Sequence, residues 1–254
     1  MKTILPVSQS VFNSLVELFP EPHQKQFGRK RCPKKALVTG ILQVLVMGIR
    51  WNDIFVEGVS GTSCWRYCNN LQKRGLFNLV FIRLSQRMVD ISECAVDTSS
   101  ISSFRFEACT GWDGKHKKIA TKISLISDRK GLPMDVVFDK GSVHDLRFLP
   151  EHLKRLCLTG IKTLNADKGY TSIELRRKLR LKKVNLNMEI KKGDYRHKRG
   201  PRFRFDKEKY KVRFKIERTF AWTKSFRAIR IRRSRLIAMF KALLFLALII
   251  VLLR

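Results

Sequence analysis

Hydrophobic positions recur along this chain with two different periods, and the period changes near residue 90. Up to that point the spacing is helical. Val11, Phe12, Leu15, Val16 and Phe19 form one amphipathic stripe, closed by Pro20 and Pro22. Pro33 is placed to open a second helix, with Leu37, Ile41, Leu45 and Val46 at i, i+4, i+8 and i+9. Gly48, Trp51 and Gly58 mark its exit. Thr62 or Ser63 is placed to cap a third helix bearing Trp65, Arg66, Asn69, Asn70 and Lys73. Gly75 breaks it, and Phe77, Phe81, Leu84 and Met88 line a fourth. Residues 1–90 are expected to form a small all-α domain. Its third helix could be a helix-turn-helix-like DNA reader or simply the polar face of a bundle.

From Ile91 the pattern is mixed. Ala95–Asp97 closes a short apolar run, a candidate strand ending in an acid, with Thr98, Ser99 and Ser100 after it. Gly111–Lys118 is a basic, glycine-containing loop. Ile119–Ser127 alternates apolar and polar, Arg129–Gly131 turns, and Leu132–Phe138 returns as a hairpin partner. His144–Leu156 reads as helix. Ile161–Asp167 is a second short apolar run ending in Asp. Ser172–Leu181 is a basic helix, Val184–Met188 a short strand, and Lys191–Arg204 a basic loop punctuated by Gly and Pro. Asp206 is placed to cap the next helix. Tyr210–Lys224 contains no Gly or Pro and is expected to be one helix. At about 100° per residue, Tyr210, Arg213, Glu217 and Lys224 fall within roughly 60° of one another, beside an apolar stripe of Val212, Ile216 and Phe220. Residues 91–254 thus have a mixed α/β pattern.

The tail raises the question of a membrane. Its longest apolar run, Ala242–Leu253, is 12 residues, with Lys241 before it. About 20 residues are needed to span a bilayer. A buried core helix is the expectation, with membrane contact through the neighbouring arginines as the alternative.

Charge narrows the partners. A formal net charge of +32 and a pI near 10.6 point to a polyanion, and 44% apolar residues exclude a basic disordered tail. Residues 176–235 hold 25 Lys/Arg against 5 Asp/Glu, so the excess surrounds the Tyr210 helix. Six scattered cysteines give no zinc pattern and read as reduced, mostly buried thiols of a cytosolic protein. No signal-peptide core precedes residue 10.

Within this cationic stretch, three carboxylates could do chemistry: Asp97 and Asp167 at strand ends and Glu217 on the helix. Phosphodiester cleavage needs an activated oxygen nucleophile and a stabilised leaving oxygen, which two Mg²⁺ ions roughly 4 Å apart supply. Mg²⁺ takes hard oxygen ligands, a few of them from protein. Taken singly, each Asp could be a turn cap and Glu217 a charge-balancing residue.

The spacing of Tyr210, Arg213, Glu217 and Lys224 (Tyr-x2-Arg-x3-Glu-x6-Lys) resembles the motif around the last acid of DDE transposases of the bacterial IS4/IS5 group. Asp167 in LNADKGY resembles the family's second Asp, and Asp97 in AVDTSS its first. KKALVTGILQVLVMGIRWNDI and SCWRYCNNLQKRGLF resemble the family's N-terminal helical domain, and KGSVHD resembles a segment carrying a family His-Asp, here His144 and Asp145. The stretch after Asp97 departs from the family in lacking a Gly/Arg/Ser-rich run. The resemblance implies an RNase H-like mixed-sheet catalytic domain preceded by a small helical domain that helps to bind terminal inverted repeats. It implies a catalytic and metal-binding set of Asp97, Asp167 and Glu217 with two Mg²⁺ (Mn²⁺ as substitute). Tyr210, Arg213 and Lys224 would position phosphates, and Lys168, Arg218 and Arg227 would add DNA contacts. The implied partners are double-stranded DNA, both terminal repeats and target, and a second protomer on that DNA, in the bacterial cytoplasm at the nucleoid and away from membranes. The implied reaction is strand cleavage at the ends of an insertion sequence and then strand transfer. A non-catalytic DNA-binding relative and a nuclease without strand joining are the competing readings.

Overall fold

In the computed structural model, the described residues are 7–22, 31–106, 108–156, 160–189 and 205–254. In chain order the helices are α1 (Gln9–Leu18), α2 (Lys34–Met47), α3 (Gly61–Lys73), α4 (Leu76–Met88), α5 (Phe148–Arg155), α6 (Ile173–Leu181), α7 (Lys207–Tyr210), α8 (Arg213–Ser225), α9 (Arg227–Arg230) and α10 (Ile237–Leu253). The sheet strands are β1 (Glu93–Ser103), β2 (Gly111–Asp113), β3 (Lys118–Asp128), β4 (Pro133–Lys140), β5 (Thr163–Ala166) and β6 (Asn185–Asn187). The chain divides into two compact units, one made of Met1–Leu84 and Trp222–Arg254, the other of Ser85–Ala221.

The helical unit is built around two largely apolar helices that are buried on nearly every side. α2 is buried at every position from Leu37 to Leu45, and α10 from Met239 to Leu252 except at Lys241. A helix hydrophobic all round belongs in a core. Packing is close enough to select side chains. A Cβ on Gly40 would stand 2.5 Å from Cys64 Sγ, so α2 and α3 meet through a glycine. Cys68 Sγ lies 3.6 Å from Met239 Sδ, and the Phe81 and Phe245 rings are 5.6 Å apart. Gly48 ends α2 in the left-handed region that a helix C-cap favours. The N-cap of α3 is Ser60, whose side chain accepts from the Ser63 amide, not Thr62 or Ser63. The helix starts earlier because Gly61, seated against the Trp51 carbonyl, can occupy its first turn. No helix among the described residues is long and apolar enough to cross a membrane.

The second unit carries the sheet. Its strands run in the order β4-β3-β1-β5-β6, with β2 on the start of β3. The pairs β4/β3 and β3/β1 are antiparallel; β1/β5 and β5/β6 are parallel. β5 and β6 are joined through α6, whereas β1 reaches its parallel neighbour β5 by way of β2, β3, β4 and α5; parallel neighbours need such a long connection instead of a tight turn. This is the RNase H-like mixed sheet expected from the sequence. Three sequence expectations fail locally. The expected loop Gly111–Lys118 opens with a strand, β2, paired with Lys118–Ala120 of β3. Asp97 does not end its strand: β1 continues to Ser103, because Thr98 to Ser102 keep pairing antiparallel with β3. Only the parallel ladder to β5 ends beside it, at Val96 opposite Ala166. Nor is Tyr210–Lys224 one helix. Asp206 caps α7 through the Glu208 and Lys209 amides, but the amides of Lys211, Val212, Phe214 and Lys215 bond three residues back, so the chain tightens before α8 begins. The basic loop expected at 191–204 lies outside the described residues.

Candidate active site

The register places two acids side by side. Val96 pairs with Ala166, so Asp97 and Asp167 are the next residues on adjacent parallel strands and share one face. They stand at the carboxyl end of β5, where open α/β sheets place their ligands. Each fixes its inner oxygen in the same way: Asp97 Oδ1 accepts from the Thr98 amide at 2.8 Å, Asp167 Oδ1 from the Lys168 amide at 2.7 Å. Each leaves Oδ2 turned to a common neighbour.

That neighbour is Arg213. Its Nη2 is 3.1 Å from Asp97 Oδ2 and 4.0 Å from Asp167 Oδ2, and its Nη1 is 3.7 Å from Glu217 Oε1. One guanidinium therefore touches all three carboxylates, and the two aspartate oxygens lie within about 7 Å of each other. The Tyr210 ring flanks the same guanidinium at 5.9 Å, the geometry of a cation–π contact. Arg213 Nε is buried and meets no hydrogen-bond partner among the described residues. Burial raises the Asp97 carboxyl above the usual carboxylate range; Arg213 and the Thr98 amide oppose that rise, and Asp167 and Glu217 add to it. Burial works against the charge on Arg213, but the surrounding carboxylates hold its proton more firmly than usual.

α8 is fastened by means the sequence did not reveal. Asn165 on β5 donates to the Cys94 carbonyl at 3.1 Å, and Asn187 on β6 donates to Asn165 Oδ1 at 2.8 Å. Asn187 also donates to the Asp206 carbonyl and accepts from the Asp206 amide, at 2.8 and 2.9 Å. Both asparagines are fully buried. This ladder ties the β1–β5–β6 strands to the cap of α7, just ahead of Arg213. Further along, Thr219 Oγ1 donates to the Gly131 carbonyl, and Arg218 donates to the Lys130 carbonyl at 2.8 Å. A Cβ on Gly131, whose φ is +91°, would stand 3.0 Å from the Lys215 carbonyl, so the β3–β4 turn needs glycine there. A second buried network lies beneath Asp97. His152 bonds Asp135 Oδ2 at 2.7 Å and Ser124 Oγ at 2.9 Å, and Ser124 reaches the Asp97 carbonyl at 3.4 Å. The only sequence signal for these groups was polarity inside short apolar strands: Asn in TLNA and NLN, Ser in KISLIS.

Lys168 pairs with Glu189, which raises its pKa. Lys224 lies at the end of α8, and Arg227 is exposed at the start of α9, both in the helical unit. Asp145 pairs with Lys122 at 3.1 Å, and His144 Nδ1 accepts from the Leu146 amide.

Residues 90–252 match the family model described as Transposase DDE domain, and residues 7–81 match the model for transposases of the IS4/5 family. This chain belongs to the IS4/IS5 group of DDE transposases. A relative from Burkholderia cepacia, named insertion element IS402 uncharacterized 16.2 kDa protein, is 36% identical over 107 residues, which is 38% of this chain and 73% of that one. A piggyBac transposase synaptic complex with hairpin DNA aligns with a TM-score of 0.43 at 12% identity, over 79% of this chain and 52% of that one, so the alignment spans about half of that protein's length.

As the side chains stand, no group of three His, Cys, Asp or Glu among the described residues is gathered to hold a metal ion. The three carboxylates meet on Arg213 instead. The donor set nonetheless suits the divalent ion expected of a DDE transposase. It is all hard oxygen, and its Oδ2 and Oε1 atoms already face a cation.

Proposed function

We propose that this transposase cleaves DNA strands at the ends of an insertion sequence and joins the freed 3′ ends to target DNA, using Asp97, Asp167 and Glu217. The observation that carries the reading is the convergence of these three acids, from β1, the end of β5 and α8, on a single guanidinium. Asp97 and Asp167 would hold Mg²⁺ through Oδ2, and Glu217 through its carboxylate. Two such ions, when bound, supply an activated water or 3′ hydroxyl and stabilise the leaving oxygen. The chain's own residues do the rest. The backbone amides of Thr98 and Lys168 fix the carboxylate rotamers. Tyr210 and Arg213 present a planar, permanently charged donor to a phosphate beside the acids. The surplus of Lys and Arg between residues 176 and 235 holds the DNA backbone. Lys168, Arg218, Lys224 and Arg227 belong to that field, with Arg218 engaged at the β3–β4 turn. Pairing two DNA ends calls for at least two protomers.

The test is strand cleavage of duplexes carrying the element's ends. Wild type should nick them with Mg²⁺ or Mn²⁺ and stop with EDTA. Asp167→Asn and Glu217→Gln should each lose about a thousandfold or more, while DNA binding persists. Full cleavage by both variants would refute the assignment.

A further inference from the structure

We infer that Arg213 acts as a built-in counter-ion of the acidic cluster, so that metal loading and DNA binding are coupled through the exchange of this one guanidinium. The inference rests on the reading of Asp97, Asp167 and Glu217 as metal ligands.

The atoms at issue are few. Both aspartates spend Oδ1 on a backbone amide and offer Oδ2 outward. Arg213 Nη2 takes both Oδ2 atoms and Nη1 takes Glu217 Oε1. These are the oxygens a metal would need. A guanidinium cannot leave by giving up its proton, because it stays charged at any physiological pH. A divalent ion against the same oxygens would sit a few ångströms from a positive charge, which repels it. Metal and Arg213 therefore compete for the cluster, and Arg213 must swing away for metal to enter.

The structure also favours a particular receiver for the displaced group. Arg213 is held on one side by carboxylates and on the other by the Tyr210 ring, its Nε has no partner among the described residues, and 17% of its side chain is exposed. It is thus unsaturated and within reach of solvent. A phosphate diester accepts two parallel N–H bonds from a guanidinium in the same planar manner as a carboxylate. DNA arriving at the site gives Arg213 a partner outside the cluster and releases the oxygens. Metal should then bind protein–DNA more tightly than protein alone, and by linkage DNA should bind more tightly with metal present. Without DNA, the cluster stays closed by its own arginine and metal-dependent cutting cannot start.

The measurement is Mn²⁺ affinity, read as free Mn²⁺ by electron paramagnetic resonance, on the full chain with and without a short blunt DNA duplex. The same titration on the duplex alone is subtracted to remove ions held by the DNA. Wild type alone should bind weakly and tighten by about tenfold when duplex is added. Arg213→Gln should bind Mn²⁺ about tenfold more tightly than wild type without DNA and gain little from duplex. Arg213→Lys, which keeps the charge but not the fork, should fall between them. Equal Mn²⁺ affinity for wild type with and without duplex would overturn the coupling, and that comparison needs no variant to fold. If Asp167→Asn and Glu217→Gln leave Mn²⁺ binding unchanged in every background, the failure lies in the metal-site reading, not in the exchange.

Discussion

The two units bury different chemistry. Among the described residues, the helical unit buries four polar or charged side chains, Thr39, Gln43, Thr223 and Arg232, and is otherwise an apolar core of Leu, Ile, Val and Phe. The sheet unit buries thirteen, including Ser124, His152, Asn165, Asn187 and Asp113. Burying a polar group is unfavourable unless it is hydrogen-bonded, so such groups persist where their partners fix something in place. In the sheet unit the thing fixed is a set of three carboxylates and an arginine. The helical unit is stabilised by area, the sheet unit by area plus a hydrogen-bonded framework through Asn165, Asn187 and His152.

Substitutions should separate these two kinds of stability, and the largest loss should come from the apolar core. Phe245→Ala in α10 removes a fully surrounded ring beside Phe81 and should cost about 3–5 kcal/mol in chemical denaturation. Cleavage per folded molecule should be little changed. Asn187→Ala should cost less, about 2–3 kcal/mol, by leaving Asn165 Oδ1 and the Asp206 amide unpaired. It should also reduce cleavage at saturating metal, since the ladder seats the segment leading to Arg213 and Glu217. A small core variant that harmed cleavage as much as Asn187→Ala would erase the distinction between the units.

Asp113 sharpens the comparison through pH. Burial pushes its carboxyl up, but hydrogen bonds from Ser100 and His116 outweigh this and hold it well below the usual carboxylate range. A depressed acid stabilises the fold above its unfolded pKa and loses that contribution as pH falls through the folded value. Asp113→Asn should therefore cost about 1–3 kcal/mol at neutral pH, with the gap to wild type shrinking as pH is taken below about 4. The smallest effect is chemical rather than energetic. Burial pushes the Cys64 and Cys94 thiols up to about 12. Neither should react with iodoacetamide in the native state at neutral pH, whereas both should on unfolding.

How much of this the sequence disclosed depended on how local the determinant was. The helical stripes, the Gly48 and Gly75 breaks, the β3–β4 hairpin and the Asp206 cap are set by neighbours within a turn, and the structure has them where periodicity placed them. The three acids were legible as residues, by motif. Their meeting was implied by the resemblance alone and not by any local pattern, because it depends on the register that sets Val96 against Ala166. The break at Lys211 and Val212 was also hidden, since no Gly or Pro announces it. Asn165 and Asn187 looked like ordinary polar residues in short strands until pairing joined them.

The most direct test of the account is an anomalous-scattering map from crystals of the Mn²⁺-loaded transposase on end-sequence DNA. The account predicts manganese in contact with Asp97 and Asp167, Glu217 completing the site, and Arg213 turned to a phosphate. Manganese bound elsewhere, with Arg213 still bridging the three carboxylates, would contradict it.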